Sequence, residues 1–207
     1  MGKVRAVCIS EKRGTQKKNI ESAVFVENWG IEGDAHAGNW HRQISLLSEE
    51  TIAAFKARGA EVTDGAFGEN LVVSGYDFTK FPVGTRFTCK DVVLELTQIG
   101  KECHHGCEIF QKMGECIMPT NGVFAKVLHG GKISVGDEFH VQYRAAVITL
   151  SDTASKGERE DASGAAAEEI VRKEGYEVVF KKIIPDDGDS LTALLCELSD
   201  EEIGRAH

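Results

Sequence analysis

The residues best suited to chemistry cluster in one stretch, Gly100-Lys101-Glu102-Cys103-His104-His105-Gly106-Cys107, with Cys116 further along. A thiol beside a lysine and two imidazoles is favoured as thiolate, the form that attacks electrophiles and ligates metals. Cys103 is the stronger candidate because it precedes a short predicted helix, whereas Cys107 is expected to fall within that helix. For Cys107 and Cys116 an inert buried thiol is an equally good interpretation.

Zinc binding is the main competing interpretation of this stretch. Two cysteines and two histidines between positions 103 and 107 could supply four ligands. Adjacent His104 and His105 point in different directions on most backbones, however, and structural zinc sites generally use two separated ligand pairs. A structural zinc module therefore stays an alternative to a reactive thiol. A permanent disulfide between Cys103 and Cys107 is not expected in the cytosol.

Two glycine-bearing segments form further candidate sites. The first is Gly30-Ile31-Glu32-Gly33-Asp34-Ala35-His36-Ala37-Gly38, closely followed by Trp40, His41 and Arg42. Glycines permit close backbone approach, and His36, His41 and Arg42 could donate hydrogen bonds to an anion. A solvated connection is the alternative. The second segment runs from Gly65 to Asn70, where Asn70 could bind a ligand or cap a turn.

The elements that would position these residues are mostly strands. Short apolar or alternating runs separated by glycine-bearing turns predict a mainly β domain, barrel or sandwich, before about Tyr143. These runs are Val4 to Ile9, Ala23 to Val26, Gln43 to Leu47, Leu71 to Val73, Val92 to Leu96, Val123 to Leu128 and Phe139 to Val141.

Two helices and one hairpin are predicted within the β domain. Ser48 is a suitable N-cap for a helix that Gly59 can end, and a short helix near Cys107 to Met113 is closed by Gly114. The segment His129-Gly130-Gly131-Lys132 is typical of a hairpin turn, because paired glycines supply the positive φ angles that such turns need.

After Tyr143 the pattern changes to strand, polar loop, helix, strand, helix. The strands are Ala145 to Leu150 and Glu177 to Ile184, and the helices run from about Ser163 to Glu174 and from Ser190 onward. Such alternation predicts a parallel sheet with helices on its faces. Two strands in about 60 residues bury little apolar surface. We therefore divide the chain into a β-barrel domain, 1–143, and an incomplete α/β domain, 144–207, whose unpaired strand edges favour self-association.

Composition limits the classes of function. The 207 residues are 42% hydrophobic and 28% charged, as in soluble globular proteins, and their net charge of −9 argues against nucleic-acid binding. No run approaches the roughly 18 apolar residues of a membrane span, and the N-terminus lacks a signal-peptide core. These features predict a cytoplasmic protein that contacts neither nucleic acid nor membrane.

Together the segments resemble the MOSC domain, named after the C-terminal domain of molybdenum cofactor sulfurase. The matching pieces come in one order: Gly30 to His36, Arg42 before a strand, Gly68-Glu69-Asn70 with Gly75, Gly84, Gly100 to His104, and Gly136-Asp137. The resemblance implies a β-barrel fold and makes Cys103 the signature cysteine.

The MOSC resemblance also implies a function in molybdenum cofactor biosynthesis or maturation. Cys103 would carry sulfur as a persulfide, making the protein a sulfurtransferase toward the cofactor, or would ligate molybdenum. Arg42, His36 and Asn70, together with Lys101 and His104, would hold the cofactor. The chain has no pyridoxal-phosphate domain, so sulfur would come from a separate donor such as a cysteine desulfurase and pass toward a molybdoenzyme.

Other functions remain compatible with the same resemblance. A non-enzymatic carrier or chaperone would bind the cofactor and present it to a partner without sulfur chemistry. A role in reducing N-hydroxylated compounds would need an electron donor, for which the sequence shows no flavin or haem motif.

The C-terminal part resembles the start of the molybdopterin adenylyltransferase family. The matching residues are the strand from Ala146 to Asp152, then Gly157, Asp161, Ser163 and Gly164, and then Ile184 to Asp187. The family's Gly-Gly-Thr-Gly loop is absent, so adenylyl transfer is not expected. For Asp152, Asp161 and Asp186 we therefore favour loop or capping roles over a metal or pterin site.

Overall fold

The chain divides into two compact units, Met1–Val141 and Gln142–His207. The structure is a computed structural model that describes residues 1–102 and 107–201. In the described part, no helix combines the length and the apolar character needed to cross a membrane.

The first unit is built mainly of strands. In chain order these are β1 (Gly2–Ile9), β2 (Lys18–Asn19), β3 (Ser22–Val26), β4 (Gly30–Ile31), β5 (Ile44–Ser48), β6 (Leu71–Ser74), β7 (Arg86–Cys89), β8 (Val92–Ile99), β9 (Val123–His129), β10 (Gly131–Ser134) and β11 (Glu138–Gln142). Each predicted run corresponds to one of these strands, with ends that shift by up to three residues. The fold class is therefore mainly β, as predicted.

Seven of the strands close into a barrel. Their order is β11-β7-β8-β9-β5-β6-β1, and pairing of β1 with β11, Gly2 opposite Phe139, closes the ring. Most neighbours are antiparallel, but β5 and β6 are parallel, and the long connection that parallel strands require contains a helix. A second, three-stranded sheet has the order β10-β3-β4. Along the chain, its strands lie between strands of the barrel.

Alternating side chains fill the barrel interior. In β8, Val92, Leu94 and Leu96 are buried and the residues between them are half-buried, which is the two-residue period of a strand. All five residues of β5 are buried: Ile44 and Leu46 join the barrel core, whereas Leu47 joins a second core. The second core lies under the helices, so β5 is covered on both faces.

Three helices of the first unit are α1 (Glu49–Ala57), α2 (Glu108–Met113) and α3 (Met118–Asn121). The predicted cap of α1 is confirmed, because Ser48 Oγ accepts a hydrogen bond from Thr51 N at 3.0 Å. Gly114, in the left-handed conformation, ends α2 as predicted. Neither α3 nor a single 3-10 turn at Phe78–Lys80 was predicted.

Two local predictions were wrong. Cys107 does not lie within α2 but is its N-cap, and its Sγ accepts from Phe110 N at 3.4 Å. The glycine pair Gly130-Gly131 does not make a β9–β10 hairpin, because β10 pairs with β3. At Gly130 the chain passes so close to Phe25 that a Cβ would lie 2.7 Å from its carbonyl oxygen. Glycine is needed there for the close approach between sheets.

The second unit contains β12 (Arg144–Leu150), α4 (Asp152–Ser155), α5 (Ala162–Lys173), β13 (Glu177–Ile184) and α6 (Gly188–Glu201). The predicted parallel pairing is confirmed for β12 and β13. The loop predicted after β12 contains the short helix α4. Ile184, Leu194 and Leu198 form the hydrophobic core cluster of this unit.

We expect limited chymotrypsin digestion to leave a resistant fragment ending near Tyr143, whose side chain is 52% exposed. The core of the second unit is small beside the twenty buried residues of the barrel core, so the second unit should open and be cut first. Mass spectrometry of the time course identifies the cut sites. Cleavage within the barrel strands at the same rate would contradict the domain division at residue 143.

Candidate functional site

A cleft of about 920 Å³ opens in the first unit beside the ends of several barrel strands. Its walls come from the β1–β2 loop, the β4–β5 loop, the α1–β6 loop, the end of β8 and the start of α2. Among the lining residues are Lys17, His36, His41, Arg42, Asn70, Lys101, Cys107 and Cys116. Loops distant in sequence therefore share one concave surface, the usual setting of a ligand site.

A buried ion pair joins two of these loops. Lys17 Nζ lies 2.7 Å from Asp34 Oδ2, and the two side chains are 3% and 0% exposed. Burial disfavours ionisation of Asp34, but the Lys17 ammonium and donated hydrogen bonds outweigh it and hold the pKa of Asp34 below its usual range. Burial lowers the pKa of Lys17, and Asp34 opposes that shift. Removing either partner would leave an uncompensated buried charge, which typically costs about 3–5 kcal/mol.

Asn70 ties a third loop to this pair. Its Nδ2 donates to Asp34 Oδ2 at 2.8 Å and to Cys8 O at 3.0 Å. Its Oδ1 accepts from the backbone N and the hydroxyl of Ser45, at 3.1 and 3.0 Å. Two donors and two acceptor positions are thus used within the protein. The expected contact of Asn70 with an anionic ligand stays a prediction.

The α1–β6 loop is held by Glu69, which is fully buried. Its carboxylate accepts from Gly65 N at 2.6 Å and from Phe67 N at 3.0 Å. Desolvation raises the pKa of Glu69 to about 7, although these backbone donors oppose the shift and nearby Asp64 adds to it. At Gly65, with φ +88°, a Cβ would lie 2.2 Å from Lys17 O. The Glu69 bonds and this close crossing fix the loop against the Lys17 segment.

Arg42 lies across the cleft wall between two aromatic rings. Its guanidinium carbon is 4.9 Å from the Trp40 ring centre and 5.5 Å from the Phe124 ring centre. Its Nε is buried, and within residues 1–102 and 107–201 no acceptor bonds it. A buried donor without an acceptor is costly, so this Nε–H is an exception to the usual satisfaction of buried polar groups.

Two histidines line the cleft in different settings. His36 lies with Nδ1 3.4 Å from Ser10 Oγ and 3.5 Å from Asp34 Oδ1. His41 is exposed, and its Nε2 lies 2.9 Å from Gln98 Oε1. Sequence reasoning grouped His36 and His41 as anion donors, whereas the structure pairs only His36 with a buried carboxylate.

The described cysteines of the first unit fall into two groups. Cys8 and Cys89 are buried in the cores, and burial raises the pKa of each thiol, to about 12 and about 11 respectively. Cys107 is exposed and lines the cleft, as does the half-buried Cys116. The buried pair therefore suits inert core thiols, and the cleft pair is accessible for chemistry.

The predicted reactive residue Cys103 and its neighbour His104 lie outside the described residues. Lys101 and Glu102 on one side and Cys107 on the other all line the cleft. Within the described ranges no group of three or more His, Cys, Asp or Glu side chains could hold a metal ion. The zinc interpretation depends on positions 103 to 105 and is not tested by these residues.

Lys17 and Glu69 were missed as site residues by sequence reasoning. Lys17 sits in a polar run, and nothing in that run indicates a buried ammonium. Glu69 belongs to the Gly68-Glu69-Asn70 piece, but its type alone suggests a solvated carboxylate. Both act through partners brought close by the barrel, so neither leaves a local signal.

In the second unit the acidic residues hold loops together. Asp161 caps α5, accepting from Gly164 N at 2.8 Å and from Thr149 Oγ1 at 2.9 Å. Asp152 Oδ1 accepts from Asp186 N at 3.1 Å, which joins the loops after β12 and β13. The capping interpretation is therefore confirmed for Asp161.

Comparison with known families identifies the class of protein. Residues 33–140, just over half of the chain, match the family model described as "MOSC domain", and the chain belongs to this family. Residues 146–203 match the model described as "Probable molybdopterin binding domain". The predicted order of a MOSC domain followed by a molybdopterin-related domain is confirmed, and the two matches suggest a function related to the molybdenum cofactor.

Solved structures support the fold. The chain is similar to the YUAD protein from Bacillus subtilis, at 23% identity over 68% of this chain and 96% of that chain, with a TM-score of 0.58. It is also similar to YiiM from Geobacillus stearothermophilus, at 15% identity over 96% of this chain and 100% of that chain, with a TM-score of 0.54. No curated protein matches the chain significantly.

The buried carboxyl of Glu69 generates a pH prediction. Because its folded pKa, about 7, exceeds its usual 4.5, Glu69 adds stability that is complete below pH 4.5 and lost as pH rises through 7. Relative to Glu69→Gln, the wild-type free energy of unfolding should fall by about 3 kcal/mol between pH 4.5 and 8. Urea unfolding across this range measures the difference.

The comparison with Glu69→Gln cancels the contribution of other titrating groups, including His36. Glu61→Gln, at an exposed glutamate near the same loop, is the control and should leave the pH dependence unchanged. A constant difference between wild type and Glu69→Gln at every pH would contradict the assignment.

Proposed function

We propose that the protein acts on the molybdenum cofactor in the cleft of its first unit, with Cys103 carrying sulfur to the cofactor or ligating its molybdenum. The observation that carries this proposal is the placement of Arg42. A guanidinium held between Trp40 and Phe124, with its buried Nε–H lacking an acceptor in the described chain, is prepared for an anionic or carbonyl-bearing ligand.

The size and lining of the cleft support a ligand with both a flat ring system and anionic groups. About 920 Å³ lies within the range of cofactor sites. Trp40 and Phe124 offer aromatic faces, and Arg42 and Lys101 offer cationic donors. This combination fits a pterin that carries phosphate and dithiolene sulfur.

The position of Cys103 in the chain supports a reactive role. Gly100, with φ +70°, turns the chain at the end of β8, and the residues on both sides of the 103–106 stretch line the cleft. Sulfur chemistry at this edge of the cleft would occur beside the bound cofactor.

The sulfur-transfer step balances without an external oxidant. The thiolate of Cys103 attacks the terminal sulfur of a donor persulfide, so one S–S bond forms while the donor's S–S bond breaks and the donor leaves as thiolate. The resulting Cys103 persulfide holds a nucleophilic terminal sulfur that can pass to the cofactor. When bound, the cofactor supplies a molybdenum atom that soft sulfur ligands favour. A separate protein that carries a persulfide, such as a cysteine desulfurase, would supply this sulfur.

Intact-protein mass spectrometry after incubation with a cysteine desulfurase and cysteine tests the carrier role. We expect an adduct of about 32 Da, one sulfur atom, on the wild type and on Cys107→Ser but not on Cys103→Ser. Cys107→Ser is the matched control because Cys107 is an exposed thiol of the same cleft. An adduct lost only in Cys107→Ser would contradict the assignment to Cys103.

Binding of purified molybdenum cofactor tests the role of Arg42 and the cleft. Arg42→Met should weaken binding at least tenfold, because a charge-assisted hydrogen bond contributes about 1.5–3 kcal/mol. Fluorescence of Trp40 within the cleft reports binding. Arg5→Met, which removes an exposed arginine that pairs with Glu49, is the control. Equal affinity of the Arg42 and Arg5 variants would contradict the proposed site.

The same two experiments separate the sulfur carrier from a non-enzymatic cofactor carrier. Tight cofactor binding without any sulfur adduct, and unchanged binding by Cys103→Ser, would favour a carrier that presents the cofactor to a molybdoenzyme.

A further inference from the structure

We propose that Gln98 is a positioning residue of the cleft, whose side-chain amide joins the segment of Arg42 to the turn that precedes Lys101. The inference rests on the proposed function, because Arg42 and Lys101 are the cationic donors that we assign to the ligand. It concerns how the two cations are spaced, and not a further contact with the ligand. Sequence reasoning did not single out Gln98.

A β-bulge turns Gln98 toward the cleft. In the antiparallel pairing of β8 with β9, Leu96 lies opposite Ala125 and Gln98 lies opposite Phe124. Thr97 is therefore an extra residue in β8, which defines a bulge. Simple alternation would direct Gln98 into the barrel interior, as it does Leu96. Residues that lie opposite each other in register share a face of the sheet, and both Phe124 and Gln98 line the cleft. The bulge thus moves a polar side chain from the barrel interior to the cleft.

The side chain of Gln98 bridges two segments of the cleft wall. Its Nε2 donates a hydrogen bond to Gly100 O at 2.7 Å, and its Oε1 lies 2.9 Å from His41 Nε2. A carbonyl oxygen can only accept, so the bond to Gly100 fixes which end of the amide donates. The Gln98 Oε1 is then the acceptor, and His41 Nε2 carries the proton. Both ends of the amide have a partner within the protein, which suits a support for other residues.

Each end of this bridge lies next to a cation. His41 directly precedes Arg42, and Gly100 directly precedes Lys101. Both Arg42 and Lys101 line the cleft. A ligand with several anionic or carbonyl groups needs donors at a set separation, and donors that are held in place before binding lose less entropy. Because Gln98 bonds the residue before each cation, it sets the separation of the two donors.

The two segments also have backbone anchors of their own. The carbonyl oxygen of His41 accepts a hydrogen bond from Thr97 Oγ1, on the bulge itself. Gly100 N donates to Gly122 O at 2.7 Å. Removal of the Gln98 amide alone should therefore loosen the spacing of the segments without unfolding either one.

Three variants isolate the bridge. Gln98→Met keeps the length of the side chain but removes both of its hydrogen bonds. His41→Phe keeps a ring and removes the donor at one end of the bridge. Gln16→Met is the matched control, because Gln16 is an exposed glutamine in the same cleft.

Binding of purified molybdenum cofactor to the full chain, followed by Trp40 fluorescence, is the first measurement. We expect Gln98→Met to weaken binding by about fivefold, the effect of losing one or two neutral hydrogen bonds. His41→Phe should also weaken binding. The double variant should bind no more weakly than Gln98→Met alone, because both substitutions break the same bridge. Gln16→Met should bind like the wild type.

Hydrogen exchange of the ligand-free chain, resolved by peptide mass spectrometry, is the second measurement. In Gln98→Met, exchange should become faster in peptides from positions 38–43 and 99–102 and stay unchanged in β1 and β6. Faster exchange throughout the barrel strands would indicate general destabilisation and would overturn the inference.

The outcomes separate this inference from the proposed function. Cofactor binding that depends on Arg42 but ignores Gln98→Met would refute the inference alone, as would additive losses in the double variant. If the wild type does not bind the cofactor while exchange of both segments responds to Gln98→Met, the bridge is supported and the proposed function is refuted.

Discussion

The cleft depends on one buried electrostatic interaction, the ion pair between Lys17 and Asp34. Two charges that are almost completely removed from water are stable only when their geometry is close and their remaining hydrogen-bonding capacity is used. Asp34 meets this condition through Lys17, Asn70 and the backbone of Ser10. Because its partners come from the β1–β2 loop and the α1–β6 loop, a single carboxylate on the β4–β5 loop determines how these three loops meet.

Further hydrogen bonds hold the loops joined by this ion pair. The side chains of Asn70 and Glu69 hold these loops, because their polar atoms form hydrogen bonds within the protein. Arg42 and His36 also line the cleft, and the buried Nε of Arg42 has no acceptor among the described residues.

The two units of the chain match two families named for related chemistry. The first unit is a barrel with a cleft beside its strand ends. The second is a parallel β-α unit in which Asp152 and Asp161 make hydrogen bonds that join its loops and strands. Their presence in one chain suggests a function related to the molybdenum cofactor. In the first unit we propose that the chemistry depends on a thiol, whereas in the second unit Asp152 and Asp161 make structural hydrogen bonds.

The sequence by itself determined most of the strands, the main helices and the family, whereas short strands such as β2, β4 and β7 matched no predicted run. Two-residue alternation, as in Val92 to Leu96, and caps such as Ser48 and Gly114 act over a few residues, so they can be recognised locally. Four features could not be recognised in this way. They are the ion pair between Lys17 and Asp34, the position of Arg42 beside the Trp40 and Phe124 rings, the capping role of Cys107, and the pairing of β10 with β3 in a second sheet. These were decided by tertiary structure, because they depend on distances and burial that exist only once barrel closure brings remote loops together.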